Sequence, residues 1–508
     1  MRQRHVSLIF FGNKIRDSRL AMEEPQFENL LKCPICAEAQ NCDFPAFEIH
    51  VNRCLDATIS NTLEPEFNTK DQEEVENNSD LVKQESNRRS CPSHKLIPKT
   101  SFSVDSFSYG PLPNVTSYFL THFHSDHYMG LSKKFDYGKI YCSPVTAELV
   151  KLQIGVDPKY IHPVAIECKT EIEGVNVTFI DANHCCGAVI ILFEVPKYSL
   201  IDTRPVVSDD VSRNNCWRYL HTGDFRATPA ICSHTCLTTT QADGKPVPLH
   251  LDAVYLDTTY CNPSHTFPLQ SDVVNVVCDL VEAVVIDKNT IQALLSRNTT
   301  LNGFVSRSVL GNSHGNTLLK WFTKQSTGSS RKDTLVVVGS YSIGKERIYI
   351  AIANRIKSMV YSDSNRRRVW SCLQNPELDR LVTTKPEEAN VHVVPMNQLK
   401  KDNLSEMLAK YKGRFSNIIA IRPTGWTFMP SNAGSSKDAA KFSFRSIRPT
   451  YMSHNIVSIA VPYSEHSSYD ELEMFVKSVN ATDFIPTVNV ERKEKIMIHI
   501  NKWKDEIR

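Results

Sequence analysis

The sequence predicts an α/β protein with a metal centre on one rim of a β-sheet. A second α/β segment is inserted into the chain, and a small metal-dependent module precedes it. Three observations predict this. First, successive apolar, strand-like runs each end in histidine or aspartate. Val115–Leu120 leads into Thr121-His122-Phe123-His124-Ser125-Asp126-His127, Val175–Ile180 into His184, Trp217–Leu220 into Asp224, and Val254–Leu256 into Asp257. Second, short strands alternate with helical stretches between 262 and 455. Third, Cys33, Cys36, His50 and Cys54 are spaced C-x2-C-x13-H-x3-C.

Composition sets the bounds. A chain of 508 residues predicts roughly two to four domains, and 41% hydrophobic residues suffice for large cores. The net charge of +2 gives no global basic excess, so any nucleic-acid contact must come from local patches. No apolar run approaches the length of a membrane span and no signal peptide opens the chain. The 15 cysteines therefore read as reduced thiols or metal ligands.

Taken in order, residues 1–30 carry no period and read as a flexible arm. At 31–56, the Cys33/Cys36 pair suits a tight knuckle, and a short helix over Phe44–Leu55 places His50 and Cys54 on one face. Four such ligands leave no open position on tetrahedral zinc, so this site is structural, and so small a module depends on its ion to fold. Residues 57–90 change character: 61–90 holds eight acids, four bases and only five large apolar residues. That cannot offset chain entropy, and the stretch reads as a disordered linker.

Order resumes at 91. In the extended segment after Leu120, His122 and His124 point to the same side, so both can reach one ion. Asp126 and His127 follow where the chain turns and can reach a second. His184, Asp224 and Asp257 sit at further strand ends and converge on the same rim, where the carboxylate of Asp224 suits a bridge between two cations. Further on, the buried strand Thr334–Gly339 enters Ser340-Tyr341-Ser342-Ile343-Gly344-Lys345 and then a helix. A strand, a small-residue loop, a helix N-terminus and a lysine make a generic phosphate cradle, without the spacing of a P-loop; a plain βα turn is the alternative. Arg366-Arg367-Arg368 reads as a backbone-tracking patch or a solvated charge run. Val461-Pro462-Tyr463-Ser464-Glu465-His466 ends another strand with a histidine, and lysines and arginines follow to the end after Val490.

These motifs resemble the metallo-β-lactamase superfamily and, within it, the β-CASP nucleases. The superfamily motifs fall on Asp105, on His122, His124, Asp126 and His127, on His184 and on Asp224; the β-CASP motifs fall on Asp257, His466 and Val488. "THFHSDHYMGLSKKF", "HTGDFR", "YLDTTYC", "GSYSIGKE" and "PYSEHSSY" look like the DNA interstrand cross-link repair nucleases. The sequence departs from that family at Cys186, where proline is usual, and after Val490, where Glu491-Arg492-Lys493 replaces a Gly/Ser-rich tail. The finger resembles small ubiquitin-binding zinc fingers of repair proteins, with Asn52 where an acidic residue is frequent.

The resemblance implies an αββα sandwich over 91–261, a β-CASP insertion over 262–455, and a return segment with a basic tail over 456–508. It implies one or two catalytic zinc ions: His122, His124 and His184 on one, Asp126, His127 and His466 on the other, with Asp224 between. Asp105 and Asp257 would orient imidazoles or relay protons. Ser340, Tyr341, Ser342, Gly344 and Lys345 would hold a 5′-phosphate. The implied activity is 5′-to-3′ hydrolysis of 5′-phosphorylated DNA in interstrand cross-link repair, in the nucleus, with ubiquitin as a partner of the finger. An RNA-processing β-CASP endonuclease, a ubiquitin-binding scaffold with a structural zinc site, and a small-molecule lactamase or thioesterase are the competing readings. A valine at position 488 is the mark of the DNA-acting members.

Overall fold

In the computed structural model the described residues are 30–32, 39–41, 90–197, 215–240, 244–285, 333–425 and 447–506. The chain divides into two units, Met1–Ser60 and Asn61–Arg508. In the first, β1 (Leu30–Lys32) pairs antiparallel with β2 (Ala39–Asn41), Leu30 opposite Asn41. These strands flank the Cys33/Cys36 pair in sequence; the four expected finger ligands, the arm and the linker lie outside the described residues.

The second unit begins with a four-stranded sheet of β3 (Phe102–Val104), β4 (Ser117–Phe119), β5 (Lys139–Cys142) and β6 (Ile161–Pro163). All its neighbours are parallel. The one-turn helix α1 (Ser125–Tyr128) follows β4, and α2 (Pro144–Leu149) follows β5. Ser143 caps α2, and Pro144 sits at its first position, where the missing N–H costs nothing.

A six-stranded sheet lies against the first. Its early members are β7 (Thr170–Ile172), β8 (Val175–Asp181), β9 (Val189–Pro196) and β10 (Cys216–His221), all antiparallel. Helix α3 (Pro229–Cys232) and a ribbon of β11 (Thr238–Thr240) and β12 (Pro246–Pro248) lead to β13 (His250–Leu256), which pairs parallel with β10.

Side-chain alternation explains the layers. From β9, Val189, Ile191 and Phe193 pack between the sheets with Phe102, Phe119 and Phe179, while Ile190 and Leu192 face the opposite side. Both faces are covered, so Val189–Phe193 reads as an unbroken apolar run. Outside the first sheet, Tyr118, Ile140 and Cys142 pack with Ala147 and Leu149 of α2.

The insertion opens with α4 (Gln270–Val285). It continues as β14 (Thr334–Ser340), α5 (Glu346–Ile356), β15 (Val360–Tyr361), α6 (Ser364–Trp370), α7 (Pro376–Leu381), β16 (Val382–Thr383), β17 (Val391–Pro395), α8 (Lys401–Lys410), β18 (Asn417–Pro423), β19 (Arg448–Met452) and β20 (Ile456–Val461). The strands form one sheet in the order β16-β15-β17-β14-β18-β20-β19, parallel except for β19. This corrects the expected boundary. β20 pairs with β18 in register Ile418↔Ile456, so it belongs to the insertion, and the return starts after Val461 rather than at 456.

The return segment adds α9 (Tyr469–Ser478) and β21 (Asn480–Pro486), which completes the six-stranded sheet beside β13. The expected basic tail is instead helix α10 (Lys493–Asp505). Ile496, Ile500 and Trp503 are buried against Leu472, Phe475 and Val476 of α9, covering the outer face of the larger sheet. Their i, i+4, i+7 spacing is an amphipathic stripe that the lysines on the other faces obscure.

Candidate metal centre

His122 and His124 follow β4, Asp126 and His127 lie in α1, and His184, Asp224 and His466 follow the ends of β8, β10 and β20, and local contacts fix several of them. After β4 the chain stays extended through His124, which precedes α1 with φ −103° and ψ 151°. Gly223 follows β10 with φ +54°, and a Cβ there would stand 2.8 Å from Thr121 Cβ. Only glycine lets the Asp224 loop come this close to the His122 loop.

His466 lies 282 positions after His184, and four contacts bring it back. Ser467 N donates to Phe225 O at 3.0 Å, and Ser467 Oγ accepts from Ala227 N at 2.9 Å. The fully buried Arg226 forks onto Glu471 and donates to Ser464 O at 2.7 Å. A bidentate guanidinium–carboxylate pair of this kind fixes angle as well as distance.

The side chains then meet. His127 Nε2 lies 3.2 Å from Asp224 Oδ2, His122 Nε2 3.7 Å and His466 Nε2 4.0 Å from the same oxygen. His184 Nε2 faces His124 Nδ1 at 3.1 Å. Asp126, half exposed at the mouth, approaches His127 Nε2 at 3.5 Å. Three groups have ligand atoms within 4.8 Å of one another: His122, His124 and His184; His122, His127 and Asp224; and His184, Asp224 and His466.

A divalent cation fits these donors. His122 Nε2 and His124 Nε2 are buried with no hydrogen-bond partner in the protein, and leaving such atoms unpaired is costly unless a ligand takes them. The charges agree. Burial, then the neighbouring imidazoles, hold His122 well below its ordinary value. Burial and the proximity of His184 lower His124 to about 3, and burial with His466 lowers His184 to about 4. These rings are neutral at pH 7 and keep a lone pair for a metal. Burial opposes ionisation of Asp224, but His127 and the other imidazoles outweigh it and hold the carboxyl well below its usual range. Burial likewise opposes charge on His127, and the carboxylates of Asp224, Asp126 and Asp105 override it, holding its pKa well above the ordinary value. A carboxylate-rich pocket that retains a proton where a cation would sit is what imidazole–carboxylate metal ligands produce when the proton stands in for the metal.

Asp105 and Asp257 are placed as orienting groups. Asp105 Oδ2 lies 2.7 Å from His127 Nδ1 and accepts from Thr121 Oγ1 at 2.7 Å, while Oδ1 accepts from Thr121 N at 2.9 Å. Asp257 Oδ2 lies 2.9 Å from His466 Nδ1, and its Oδ1 accepts from Thr259 N and Oγ1. Each carboxylate fixes which ring nitrogen faces the centre.

The phosphate cradle expected at 340–345 is corrected. The Lys345 ammonium pairs with Glu465 Oε2 at 2.6 Å, Lys345 N donates to Glu465 Oε1 at 2.7 Å, and Gly344 N donates to Glu346 Oε1 at 2.7 Å. Ser340 Oγ donates to Gly344 O at 2.7 Å inside the loop. Carboxylates take the Gly344 and Lys345 amides and the Lys345 ammonium; Tyr341 and Ser342 are half-buried in the same turn. Arg366, read as part of either a backbone-tracking patch or a solvated charge run, is instead buried and donates to Tyr341 O.

Sequence reasoning missed Glu465, whose backbone carbonyl lies 2.8 Å from His184 Nδ1, as well as Thr121, Glu346 and Arg226. The only signal for Glu465 was its adjacency to His466. A cavity of about 490 Å³ opens beside His184. Four carboxylates (Asp181, Glu346, Glu377 and Glu465) line it against one guanidinium, Arg347, so it is a poor seat for a DNA phosphate.

Comparison with known proteins places the chain in a family. Residues 376–492 match a family described as DNA repair metallo-beta-lactamase. The chain is 33% identical over 521 residues to the DNA cross-link repair protein pso2/snm1 of Schizosaccharomyces pombe, covering 96% of this chain and 81% of that one. This chain belongs to the DNA repair metallo-β-lactamase family. To the DNA cross-link repair protein SNM1 of Arabidopsis thaliana it is 35% identical over 418 residues, covering 82% of this chain and 70% of that family member. With the human DNA cross-link repair 1A protein the identity is 36% over 423 residues; that match covers 82% of this chain but only 33% of the longer human protein.

Proposed function

We propose that this chain is a zinc-dependent nuclease that removes nucleotides from the 5′-phosphorylated ends of DNA during interstrand cross-link repair. The convergence of His122, His124, Asp126, His127, His184, Asp224 and His466 at one rim supports this reading most directly. Relatives named for DNA cross-link repair, and a 27% identical 5′ exonuclease Apollo of Danio rerio, point to the substrate and polarity. Nuclear residence and capture of ubiquitinated repair factors by the Cys33–Cys54 finger go with the same reading.

His122, His124 and His184 would hold one ion and Asp126, His127 and His466 another, with Asp224 facing both. When bound, such cations would lower the pKa of a coordinated water into the neutral range and neutralise phosphate oxygens. The chain's own part is orientation and access. Asp105 and Asp257 lock His127 and His466 in the tautomer that leaves Nε2 toward the centre. His122 is fully buried, whereas the Asp126 side chain is 51% exposed and that of His466 23%. The phosphodiester therefore approaches from the Asp126 and His466 side, away from the acid-lined cavity. With the Gly344 and Lys345 amides and the Lys345 ammonium engaged, a 5′-phosphate would find its partners at that same open mouth.

The test uses one labelled strand carried as 5′-phosphoryl DNA, 5′-hydroxyl DNA and RNA. Faster stepwise digestion of the phosphorylated DNA from its 5′ end is expected. Equal rates on both DNA ends would remove the exonuclease polarity, and preferred internal cleavage of RNA would favour the RNA-processing reading.

A further inference from the structure

The turn that joins β14 to α5 spends its donors on the surroundings of His184, and three facts about it belong together. Both oxygens of Glu465 are taken by one residue, Lys345: Oε1 by its amide at 2.7 Å and Oε2 by its ammonium at 2.6 Å. The side chains are almost wholly buried, 8% exposed for Lys345 and 5% for Glu465. The backbone carbonyl of this same Glu465 lies 2.8 Å from His184 Nδ1. Two residues on, the guanidinium of Arg347 donates to Asn183 Oδ1, and to Gln270 Oε1 at 3.0 Å. Asn183 immediately precedes His184, holds a left-handed φ of +51°, and donates through Nδ2 to Arg226 O at 3.1 Å.

The turn is built for this approach. Lys345 itself adopts φ +68°, a conformation a lysine takes up only when its surroundings over-determine it. Gly344 has φ +96°, and a Cβ there would stand 2.9 Å from Glu465 Oε2. The glycine lets the backbone close on the carboxylate, and the strained lysine then delivers amide and ammonium to the same group.

We propose that the Gly344–Arg347 turn of the inserted domain is a clasp that fixes the orientation of His184, with Lys345 and Arg347 as positioning residues acting through Glu465 and Asn183. The inference rests on His184 being a metal ligand. Lys345 holds the carboxylate of Glu465, which holds its backbone carbonyl against Nδ1, so that Nε2 faces the centre. Arg347 holds Asn183, which sets the path of the chain into His184. Both holds come from the insertion and both targets lie beside the sandwich rim, so metal affinity depends on how the inserted domain is seated. A groove merely packed with apolar side chains would join the two domains equally well but would fix no carbonyl direction.

The experiment measures zinc affinity of the full-length protein by competition with a chromophoric chelator. The proteins compared are wild type, His184→Ala, Lys345→Met and Arg347→Met, with circular dichroism confirming the fold of each. The zinc lost in His184→Ala defines the site in question. Lys345→Met is expected to weaken zinc at that site by about ten- to hundredfold, the range for groups that orient a metal ligand from behind. Arg347→Met, at an exposed position where folding is not at risk, is expected to weaken it several-fold. Zinc bound elsewhere should be unchanged in both. If Lys345→Met fails to fold, Arg347→Met carries the test alone. Wild-type affinity in the folded Lys345 and Arg347 variants, with loss in His184→Ala, would overturn the clasp and leave the metal centre standing. Full zinc binding by His184→Ala would overturn the metal-centre reading and the clasp with it.

Discussion

Glu346 is the first residue of α5, buried beside Glu465 and the cavity, and Glu346→Gln gives a quantity that can be worked out in advance. Burial, and then the charge of Glu465, push the Glu346 carboxyl up from 4.5 to about 7. The folded protein therefore binds a proton there that the unfolded chain has already released. Where the native state binds more protons, stability falls as pH rises. The contribution is greatest below pH 4.5 and is lost as pH climbs to about 7. At about 1.4 kcal/mol per pH unit, the gap amounts to about 3 kcal/mol. Glutamine copies the neutral acid: its carbonyl can still accept from Gly344 N, as Glu346 Oε1 does at 2.7 Å, and it carries no charge to desolvate. Urea unfolding of the two proteins at pH 5, 6, 7 and 8 gives the difference directly, with other titrating groups cancelling. The variant should exceed wild type by less than about 1 kcal/mol at pH 5 and by about 3 kcal/mol at pH 8. A difference independent of pH, or a variant that is less stable at pH 8, would refute this account of the buried carboxyl.

Three further outcomes follow from the same structure. Asp257→Asn removes the anion that holds His466 Nδ1 at 2.9 Å; zinc affinity should fall by about ten- to hundredfold and excess zinc should restore part of the activity, as titrated by chelator competition. Trp503→Ala empties a site in α10 where the indole is 1% exposed and packs on Tyr469 at 4.9 Å between ring centroids; urea unfolding should show a loss of about 3–5 kcal/mol, which a disordered basic tail would not give. Gly187→Ala introduces a Cβ 2.7 Å from Val145 Cβ at a φ of +81°; a loss of about 2–4 kcal/mol is expected in the same assay, with weaker zinc binding because the loop carries His184.

The candidate metal ligands were legible because their chemistry is local. Alternation places His122 and His124 on one side of a strand, and Asp224 and Asp257 each close a β run, so the rim can be read without knowing how the sheets pack. Asp105 and His466 needed the resemblance, since a single acid or histidine after a short strand has many roles. The turn at 340–345 was misread for a physical reason: strand, small residues, lysine and helix look the same whether the donors face solvent or a carboxylate from another domain. Here the deciding group, Glu465, lies 120 positions from Lys345. The insertion boundary failed in the same way, because Ile456–Val461 is equally apolar as a strand of either sheet and only pairing with β18 assigns it. By contrast, α10 was readable: Ile496, Ile500 and Trp503 form a helical stripe, and four lysines between 493 and 504 drew attention to charge instead.

The central claim is that one rim of the sandwich holds cations that cut DNA, and chelation tests it most directly. Hydrolysis of a 5′-phosphorylated single strand by the full-length protein should be abolished by a strong chelator, restored by added zinc, and absent at any zinc level in Asp224→Ala. Undiminished cutting in chelator, or wild-type cutting by Asp224→Ala, would contradict the account.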